Sequence, residues 1–290
     1  MEPPTSQPEP APAAGRPRPF PNGARAHALE RRRRRRRRLR RAGNSLYRTL
    51  RFVAEHVQGV YSAYAAFLSI AFVGAAALAA FVGIAKVVLE GFVQSWDDAA
   101  LRWITGYRTP GLTQVALQVT TLGTSLVLTM VIVVSATFLW LTRHRHSAYL
   151  LAASFFGAWL LNVMLKDVFE RPRPLVVHAL APAGSASFPS GHAMSAMAAY
   201  GAIALLVARL EPGRGARIAT WILAALVVLG IGASRLYLGV HYPSDVLGGF
   251  AAGLAWVAFA AAGLAALRFF GRREPEIREH ERSLERTPLS

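Results

Sequence analysis

Apolar residues recur in six long runs after residue 58, and short polar stretches separate the runs. A helix that spans a membrane needs about 20 mainly apolar residues. The runs predict six transmembrane helices, at about 63–88, 113–141, 148–165, 193–210, 218–232 and 246–267. The fifth run is short, so its ends are the least well defined. We therefore expect an all-α polytopic membrane protein whose six-span domain covers about 59–268.

The segment 91–110, between the first two runs, combines charged and aromatic residues, among them Trp96, Asp97, Asp98 and Trp103. Aromatic and polar side chains mixed in this way are typical of a helix that lies in the membrane interface. Two roles are open for the predicted interfacial helix. It covers the entrance to a site, or it is only a membrane anchor.

Composition changes this picture mainly at the ends of the chain. Residues 1–58 are rich in Pro, Ala, Gly and Arg, which predicts a disordered cytoplasmic tail. Residues 269–290 form a second, charged cytoplasmic tail. No apolar run directly follows the arginines, so the first segment does not resemble a signal peptide. The chain has no cysteine, which excludes disulfides, cysteine-ligated metals and a cysteine nucleophile.

The formal net charge of +17 depends largely on one segment, Arg31–Arg41, which contains eight consecutive arginines. Because the basicity is so confined, nucleic-acid binding is disfavoured. A run of arginines ahead of a first span more simply contacts anionic lipid headgroups or sets the topology.

Lysine and arginine in short loops mark the cytoplasmic side of a membrane protein. Here they mark the first tail, the loop Arg143–Arg145, the loop 209–217 and the end after residue 267. With six spans these regions fall on one side, so both termini are expected in the cytoplasm. The alternate loops 91–110, 166–192 and 233–245 then lie outside it.

Two of these outer loops contain polar residues that suit an anion site. Lys166 follows the third run, and Arg173 belongs to the Arg-Pro-Arg-Pro stretch after it. The prolines predict that the chain leaves the helix there. Arginine offers a planar fork to phosphate oxygens and lysine a compact charge. The alternative is that both are side chains that snorkel to the interface at a helix end.

A second polar group, Pro189 to His192, precedes the fourth run. Ser190 is a favourable N-cap, Gly191 allows close approach of a ligand to the backbone, and a helix start attracts anions. His192 would then lie in the first turn. The alternative is an ordinary capped helix with an interfacial histidine.

A third polar group contains Arg235, His241 and Asp245. If Pro243 starts the sixth helix, the carboxylate can approach the imidazole four residues earlier, fix its tautomer and leave the other nitrogen as a nucleophile. A structural His–Asp contact and a metal site are alternatives, although several cations with one carboxylate are a poor metal signature. All three groups lie at span ends on one predicted side of the membrane, which favours one shared function over three unrelated structural roles.

These motifs resemble those of the type 2 phosphatidic acid phosphatase (PAP2) superfamily, which shares its site with vanadium haloperoxidases. The family pattern is Lys-x6-Arg-Pro, then Pro-Ser-Gly-His, then Ser-Arg-x5-His-x3-Asp. This sequence matches it throughout, with Lys166, Arg173-Pro174, Pro189-Ser190-Gly191-His192, Ser234-Arg235, His241 and Asp245. The motifs cover 166–245, and the span layout extends the resemblance to about 59–268.

The resemblance implies roles for these residues. His241 would form a phosphohistidine, Asp245 would orient it, and His192 would protonate the leaving oxygen and then help water to attack. The phosphoryl oxygens would be bound by Lys166, Arg173, Arg235, Ser190 and the Gly191 amide. It also implies that no metal or other cofactor is required.

The resemblance implies a lipid phosphate or diphosphate phosphatase of the cell membrane with an extracytoplasmic site. Undecaprenyl diphosphate, phosphatidic acid, phosphatidylglycerol phosphate and diacylglycerol pyrophosphate are all candidate substrates, and the outward site makes the first a natural choice. A lipid phosphotransferase with an acceptor other than water is the alternative. A haloperoxidase is disfavoured by the multiple spans. The motifs do not define an oligomeric state.

The predicted topology can be tested with reporter fusions. Alkaline phosphatase, which is active only outside the cytoplasm, should be active when fused after residue 180 and inactive when fused after residue 213. Cytoplasmic behaviour of the fusion after residue 180 would overturn the predicted orientation.

Overall fold

A computed structural model of the chain describes residues 64–182, 184 and 186–285, with side chains described as far as Ala266. The predicted tail at 1–58 and its Arg31–Arg41 run lie outside the described residues. Within them all regular structure is helical, as predicted. The helices are α1 (Tyr64–Leu89), α2 (Gln94–Thr105), α3 (Pro110–Thr121), α4 (Ser125–Leu141), α5 (Arg145–Phe169), α6 (Gly191–Leu210), α7 (Arg214–Tyr237) and α8 (Pro243–Glu285).

Most of these helices have the length and hydropathy of membrane spans. Five qualify by themselves: α1, α5, α6, α7 and the part of α8 that runs from Pro243 to Ala266. The pair α3 and α4 qualifies together but is bent by 46°, so it adds a sixth span if the pair is counted as one. The polytopic all-α class is thus confirmed.

The predicted second span, 113–141, is divided at Leu122–Thr124. Thr124 starts α4 by accepting a hydrogen bond from the Val127 N–H at 3.4 Å, and its own hydroxyl donates to the Thr121 carbonyl at 2.7 Å. The Tyr200 hydroxyl of α6 donates to the Leu122 carbonyl at 3.0 Å. Backbone groups that the break releases from the helix therefore have partners, as a membrane interior requires.

The fifth predicted span, 218–232, is too short at both ends. The helix α7 runs from Arg214 to Tyr237, and Ser234 and Arg235 in its last turns are buried. Hydropathy ends the run early because these side chains are polar, although they face the protein interior. The helix α8 begins at Pro243, which is the start that the pairing of His241 with Asp245 required, and its backbone stays helical to Glu285, past the expected boundary at residue 268.

The two basic loops meet at one end of the bundle. A cleft there is lined by Arg143, His144 and His146 from the α4–α5 connection and by Arg209 at the end of α6. The polar groups of the two outer loops meet at the other end, where α5 and α7 finish and α6 and α8 begin. The structure therefore separates the basic loops from the candidate site along the spans.

Small residues allow α6 and α8 to pack closely. A Cβ atom on Gly249 would lie 2.7 Å from the Ser190 carbonyl oxygen, and one on Gly253 would lie 2.6 Å from that of Met194. Both glycines of this GxxxG pattern thus contact a helix of the same chain. The pattern therefore serves packing between helices of one chain.

An aromatic cluster anchors the loop between α5 and α6. The Phe188 ring stacks on Phe81 of α1 at 5.9 Å and meets the edge of Phe169 of α5 at 4.8 Å. Phe188 is fully buried. The residue that precedes the Pro-Ser-Gly-His motif is therefore fixed against two helices.

Replacing Gly253 by alanine should destabilise the bundle, because the added methyl group overlaps the backbone of α6. Overpacking of this kind costs about 1–3 kcal/mol. The melting temperature of the purified protein in detergent, followed by tryptophan fluorescence, should fall. The control is Gly263→Ala on the same helix, where a Cβ meets nothing within 4 Å. An unchanged melting temperature together with loss of a dimer would instead assign Gly253 to an intermolecular contact.

Candidate active site

Hydrogen bonds join the three polar groups into one site. The Ser190 N–H donates to the Asp245 carbonyl at 2.9 Å, which ties the start of α6 to the start of α8. The Ser187 N–H donates to the Arg171 carbonyl at 2.7 Å. The Arg173 side chain donates to the Val240 carbonyl at 2.7 Å. Segments that are far apart in sequence are therefore held together by hydrogen bonds of backbone groups as well as of side chains.

His241 and Asp245 approach each other at the start of α8, as the four-residue spacing predicted. The distance from His241 Nδ1 to Asp245 Oδ2 is 3.5 Å, long for a direct hydrogen bond. Ser187 fills the gap, since its Oγ lies 2.5 Å from Asp245 Oδ2 and 3.4 Å from His241 Nδ1. The Tyr242 N–H also donates to Asp245 Oδ2, at 2.8 Å. The carboxylate is thus close enough for its charge to stabilise the imidazole, and Ser187 links the two groups by hydrogen bonds.

The other nitrogen of His241 faces cations. Its Nε2 lies 3.3 Å from Arg173 Nη1. Burial lowers the pKa of His241 to about 4; Asp245 opposes this shift, and Arg173 and Arg235 add to it. The imidazole is therefore neutral near pH 7 and has a lone pair available. A neutral imidazole whose other nitrogen is oriented by a carboxylate is a competent nucleophile.

Three cations lie close together beside the two histidines of the site. Lys166, at the end of α5, lies within interaction range of Arg173 and Arg235. Arg173 also donates to the carbonyl of Gly184 at 3.1 Å, and burial lowers the pKa of its guanidinium. Arg235 is 4% exposed and donates to Thr120 Oγ1 at 3.0 Å. Like charges gathered this closely repel one another, so a bound anion would stabilise the cluster.

Two buried donors at this site lack partners. Arg235 Nε and Ser190 Oγ have no hydrogen-bond partner among the described residues. Ser190 occupies the N-cap position of α6, as predicted, but its side chain makes no capping hydrogen bond. Buried polar groups without partners are costly. Their presence beside three cations indicates a place for a ligand with acceptor oxygens.

The first turn of α6 completes the site. A Cβ atom on Gly191 would lie 2.9 Å from Asn162 Oδ1, so the backbone here approaches α5 closely. His192 is half-buried and lies within interaction range of Arg235, His241 and Lys166. The structure thus brings together all eight residues that the motifs predicted: Lys166, Arg173, Ser190, Gly191, His192, Arg235, His241 and Asp245.

Four buried polar residues around the site were not predicted. Ser187 links Asp245 to His241, and Asn162 donates to the Pro189 carbonyl at 3.3 Å. Arg171 donates to Asp245 Oδ1 and to Asp97 Oδ2, at 2.7 Å each. Arg173 occupies a position of the Lys-x6-Arg-Pro motif, whereas Arg171 matches no motif position. Asp97 lies in the predicted interfacial helix, 147 residues before its partner Ser244.

The donor set of the site suits an anion better than a metal ion. Among the residues that the structure describes, no group of three or more His, Cys, Asp and Glu is arranged to hold one. The three cations instead supply the positive charge that phosphoryl groups require.

Comparisons with known proteins agree with this chemistry. The model of the PAP2 superfamily matches residues 147–268. Phosphatidylglycerophosphatase B of Bacillus subtilis (strain 168) is 35% identical over 175 residues, which cover 60% of this chain and 86% of that protein. Undecaprenyl-diphosphatase BcrC of the same organism is 40% identical over 95 residues, or 31% of this chain and 43% of that protein.

A solved structure extends the similarity to the fold. The crystal structure of a transmembrane PAP2 type phosphatidylglycerolphosphate phosphatase from Bacillus subtilis superposes with a TM-score of 0.61 at 33% sequence identity. The match covers 65% of this chain and 94% of that one. With its motifs, its helical bundle and a relative matched over most of its length, the chain belongs to the PAP2 superfamily and is a multi-span membrane phosphatase.

Proposed function

We propose that this protein hydrolyses a lipid phosphate or diphosphate through a phosphohistidine on His241, at the extracytoplasmic face of the cell membrane. One observation carries the proposal. The Nε2 atom of a buried, neutral histidine lies 3.3 Å from Arg173, which is clustered with Lys166 and Arg235, and two donors of the same site, Arg235 Nε and Ser190 Oγ, lack hydrogen-bond partners among the described residues. A phosphoryl group would satisfy those donors and offset the repulsion between the cations.

In the proposed first step, His241 Nε2 attacks phosphorus and the bond from phosphorus to the leaving oxygen breaks. His192 gives a proton to that oxygen. The phosphorylated imidazole carries a positive charge, which the adjacent Asp245 carboxylate stabilises at Nδ1. In the second step His192 takes a proton from water, whose oxygen attacks phosphorus, and the bond between nitrogen and phosphorus breaks to release phosphate.

The remaining residues bind and orient the phosphoryl group. Lys166, Arg173 and Arg235 would neutralise its charge, while the Ser190 hydroxyl and the Gly191 amide would donate hydrogen bonds at the start of α6. These interactions strengthen as charge develops on the phosphoryl oxygens, which is the usual source of rate enhancement in phosphoryl transfer.

A lipid substrate is supported by the location of the site and by the relatives. The site lies where α5 and α7 end and α6 and α8 begin, so a phosphate headgroup can reach it while the hydrocarbon chain remains among the spans. The relatives are named for activity on phosphatidylglycerophosphate and on undecaprenyl diphosphate. We propose a substrate of one of these two classes.

The extracytoplasmic location is supported by the distribution of charge. The basic loops that line the cleft with Arg143 and Arg209 lie at the opposite end of the bundle from His241. Because basic loops favour the cytoplasmic side, the phosphatase site is proposed to face outward.

Replacing His241 by alanine should abolish turnover, because the variant has no nucleophile. Loss of a nucleophile lowers kcat by at least about a thousandfold. Phosphate release by purified protein and covalent labelling with a substrate that carries ³²P should both disappear. The control is His178→Ala, which removes an exposed histidine of the α5–α6 loop and should leave both signals intact. Full activity in His241→Ala would contradict the proposed mechanism.

Chelation should not affect the reaction, because the cations of the site take the place of a metal ion. Phosphate release from undecaprenyl diphosphate, phosphatidylglycerophosphate and phosphatidic acid in detergent micelles should be equal with and without EDTA. The same panel ranks the substrates. Activity that EDTA removes and Mg²⁺ restores would overturn the metal-free site, while a best substrate outside the two proposed classes would overturn the substrate assignment alone.

A further inference from the structure

A buried arginine outside the phosphate-binding cluster connects Asp245 to the helix α2. Arg171 Nη1 donates to Asp245 Oδ1 and Arg171 Nη2 donates to Asp97 Oδ2, each at 2.7 Å. Its guanidinium carbon lies 4.4 Å from the centre of the Tyr242 ring. Arg171 is 7% exposed, and both carboxylates are fully buried. The arginine is thus fixed on three sides between the two acids.

Ser244 closes this arrangement at the start of α8. It accepts a hydrogen bond from Arg171 Nη1 at 2.7 Å, and its N–H donates to Asp97 Oδ1 at 3.0 Å. Its hydroxyl donates to Asp97 Oδ2. Asp97 therefore caps the N-terminus of α8 from another helix, where the free N–H groups and the helix dipole favour a negative charge.

We infer that Asp97 and Arg171 are positioning residues, which set the orientation and basicity of Asp245 and, through it, of the nucleophile His241. The inference rests on the proposed function, in which His241 is the nucleophile. It also assigns α2 a part in the reaction, since that helix supplies the carboxylate on which Arg171 depends.

The geometry explains why Asp97 is needed. An arginine fork commonly binds both oxygens of one carboxylate. Here Asp97 and, at 2.9 Å, the Gln94 Oε1 atom accept from Nη2, so Arg171 reaches only Oδ1 of Asp245. The second oxygen, Oδ2, stays available to Ser187, the Tyr242 N–H and His241. Without Asp97, Arg171 can turn toward Asp245 and neutralise the charge that the imidazole requires.

The opposite charges of Asp97 and Arg171 predict opposite changes in the pH dependence of the reaction. Two buried carboxylates share one guanidinium, so the group as a whole is negative beside His241. The other charged or titratable groups around this histidine are Asp245 from α8, Lys166 at the end of α5, Arg173 from the α5–α6 loop, Arg235 from α7 and His192 from α6. All five are unchanged in the variants below. A change in pH dependence relative to the wild type then reports on Asp97 and Arg171.

The test compares the variants Asp97→Asn, Arg171→Met and Arg171→Lys with the wild type, using undecaprenyl diphosphate and phosphatidylglycerophosphate in micelles. Asp97→Asn should lower kcat by about 10- to 100-fold and change KM by less than about threefold, because the phosphate-binding residues are retained. Arg171→Met should lower kcat at least as much. Arg171→Lys keeps the charge and should recover part of the loss.

The rate of phosphohistidine formation should also change its dependence on pH. Loss of the negative charge of Asp97 makes His241 harder to protonate, so the acid limb should move to lower pH. Loss of the positive charge of Arg171 in Arg171→Met should move that limb to higher pH. Each displacement is expected to be about 0.5–1 pH unit. A purely structural role does not produce opposite displacements.

The control is Glu90→Gln. Glu90 is an exposed acid between α1 and α2 and lies 3.9 Å from Lys86. Its variant should keep the wild-type kcat and acid limb. Melting temperatures in detergent identify a variant that does not fold, and Asp97→Asn and Arg171→Lys keep the comparison possible if Arg171→Met is such a case.

The outcomes separate the two proposals. Wild-type kcat and pH dependence in Asp97→Asn would overturn the inference and leave the phosphohistidine mechanism standing. So would a loss of activity that follows the melting temperature without any displacement of the acid limb. If the wild type forms no phosphohistidine, the proposed function fails first and the inference falls with it.

Discussion

The rest of the site depends on the hydrogen bonds that the fully buried Asp245 carboxylate accepts. One of its oxygens accepts from Arg171, and the other accepts from Ser187 and from the Tyr242 N–H beside His241. These donors come from the α5–α6 loop and from the turn before α8. A buried carboxylate must collect donors to offset the loss of hydration, and doing so draws these segments together. The histidine is placed as a consequence.

Charge is organised in two layers around that carboxylate. Behind it, Arg171 is balanced by Asp97 and Asp245. In front of it, Lys166, Arg173 and Arg235 lie close together beside His241 and His192, and Asp245 is already bound to other donors. The inner layer therefore stabilises the fold without a ligand, while the outer layer has an excess of positive charge that an anion would offset. In the proposed mechanism, this division separates the residues that position the nucleophile from those that bind the phosphoryl group.

The sequence predicted eight residues of the candidate site because each lies in a short motif at a span end. Local patterns also indicated Pro243 as a candidate start of α8 and predicted the departure of the chain from α5 before Arg173. The inner layer was not predictable in this way. Asp97 acts on Ser244 across 147 residues, and an acid in an aromatic interfacial segment gives no sign that it is buried. The bounds of α7 failed for a related reason, since hydropathy treats a buried Arg235 as a helix end.

The break between α3 and α4 brings the backbone of this span into close contact with the site. A Cβ atom on Gly123 would lie 2.6 Å from Ile231 Cγ2 and 3.2 Å from His192 Cδ2, so glycine lets the chain pass close to both side chains. Three residues earlier, Thr120 accepts a hydrogen bond from Arg235. An uninterrupted helix would carry its backbone past the site at constant direction. The bend instead brings Gly123 against His192 and Thr120 onto Arg235. The threonine cap and the Tyr200 hydroxyl satisfy the backbone groups that the bend releases, so the membrane span can serve as a wall of the phosphatase site.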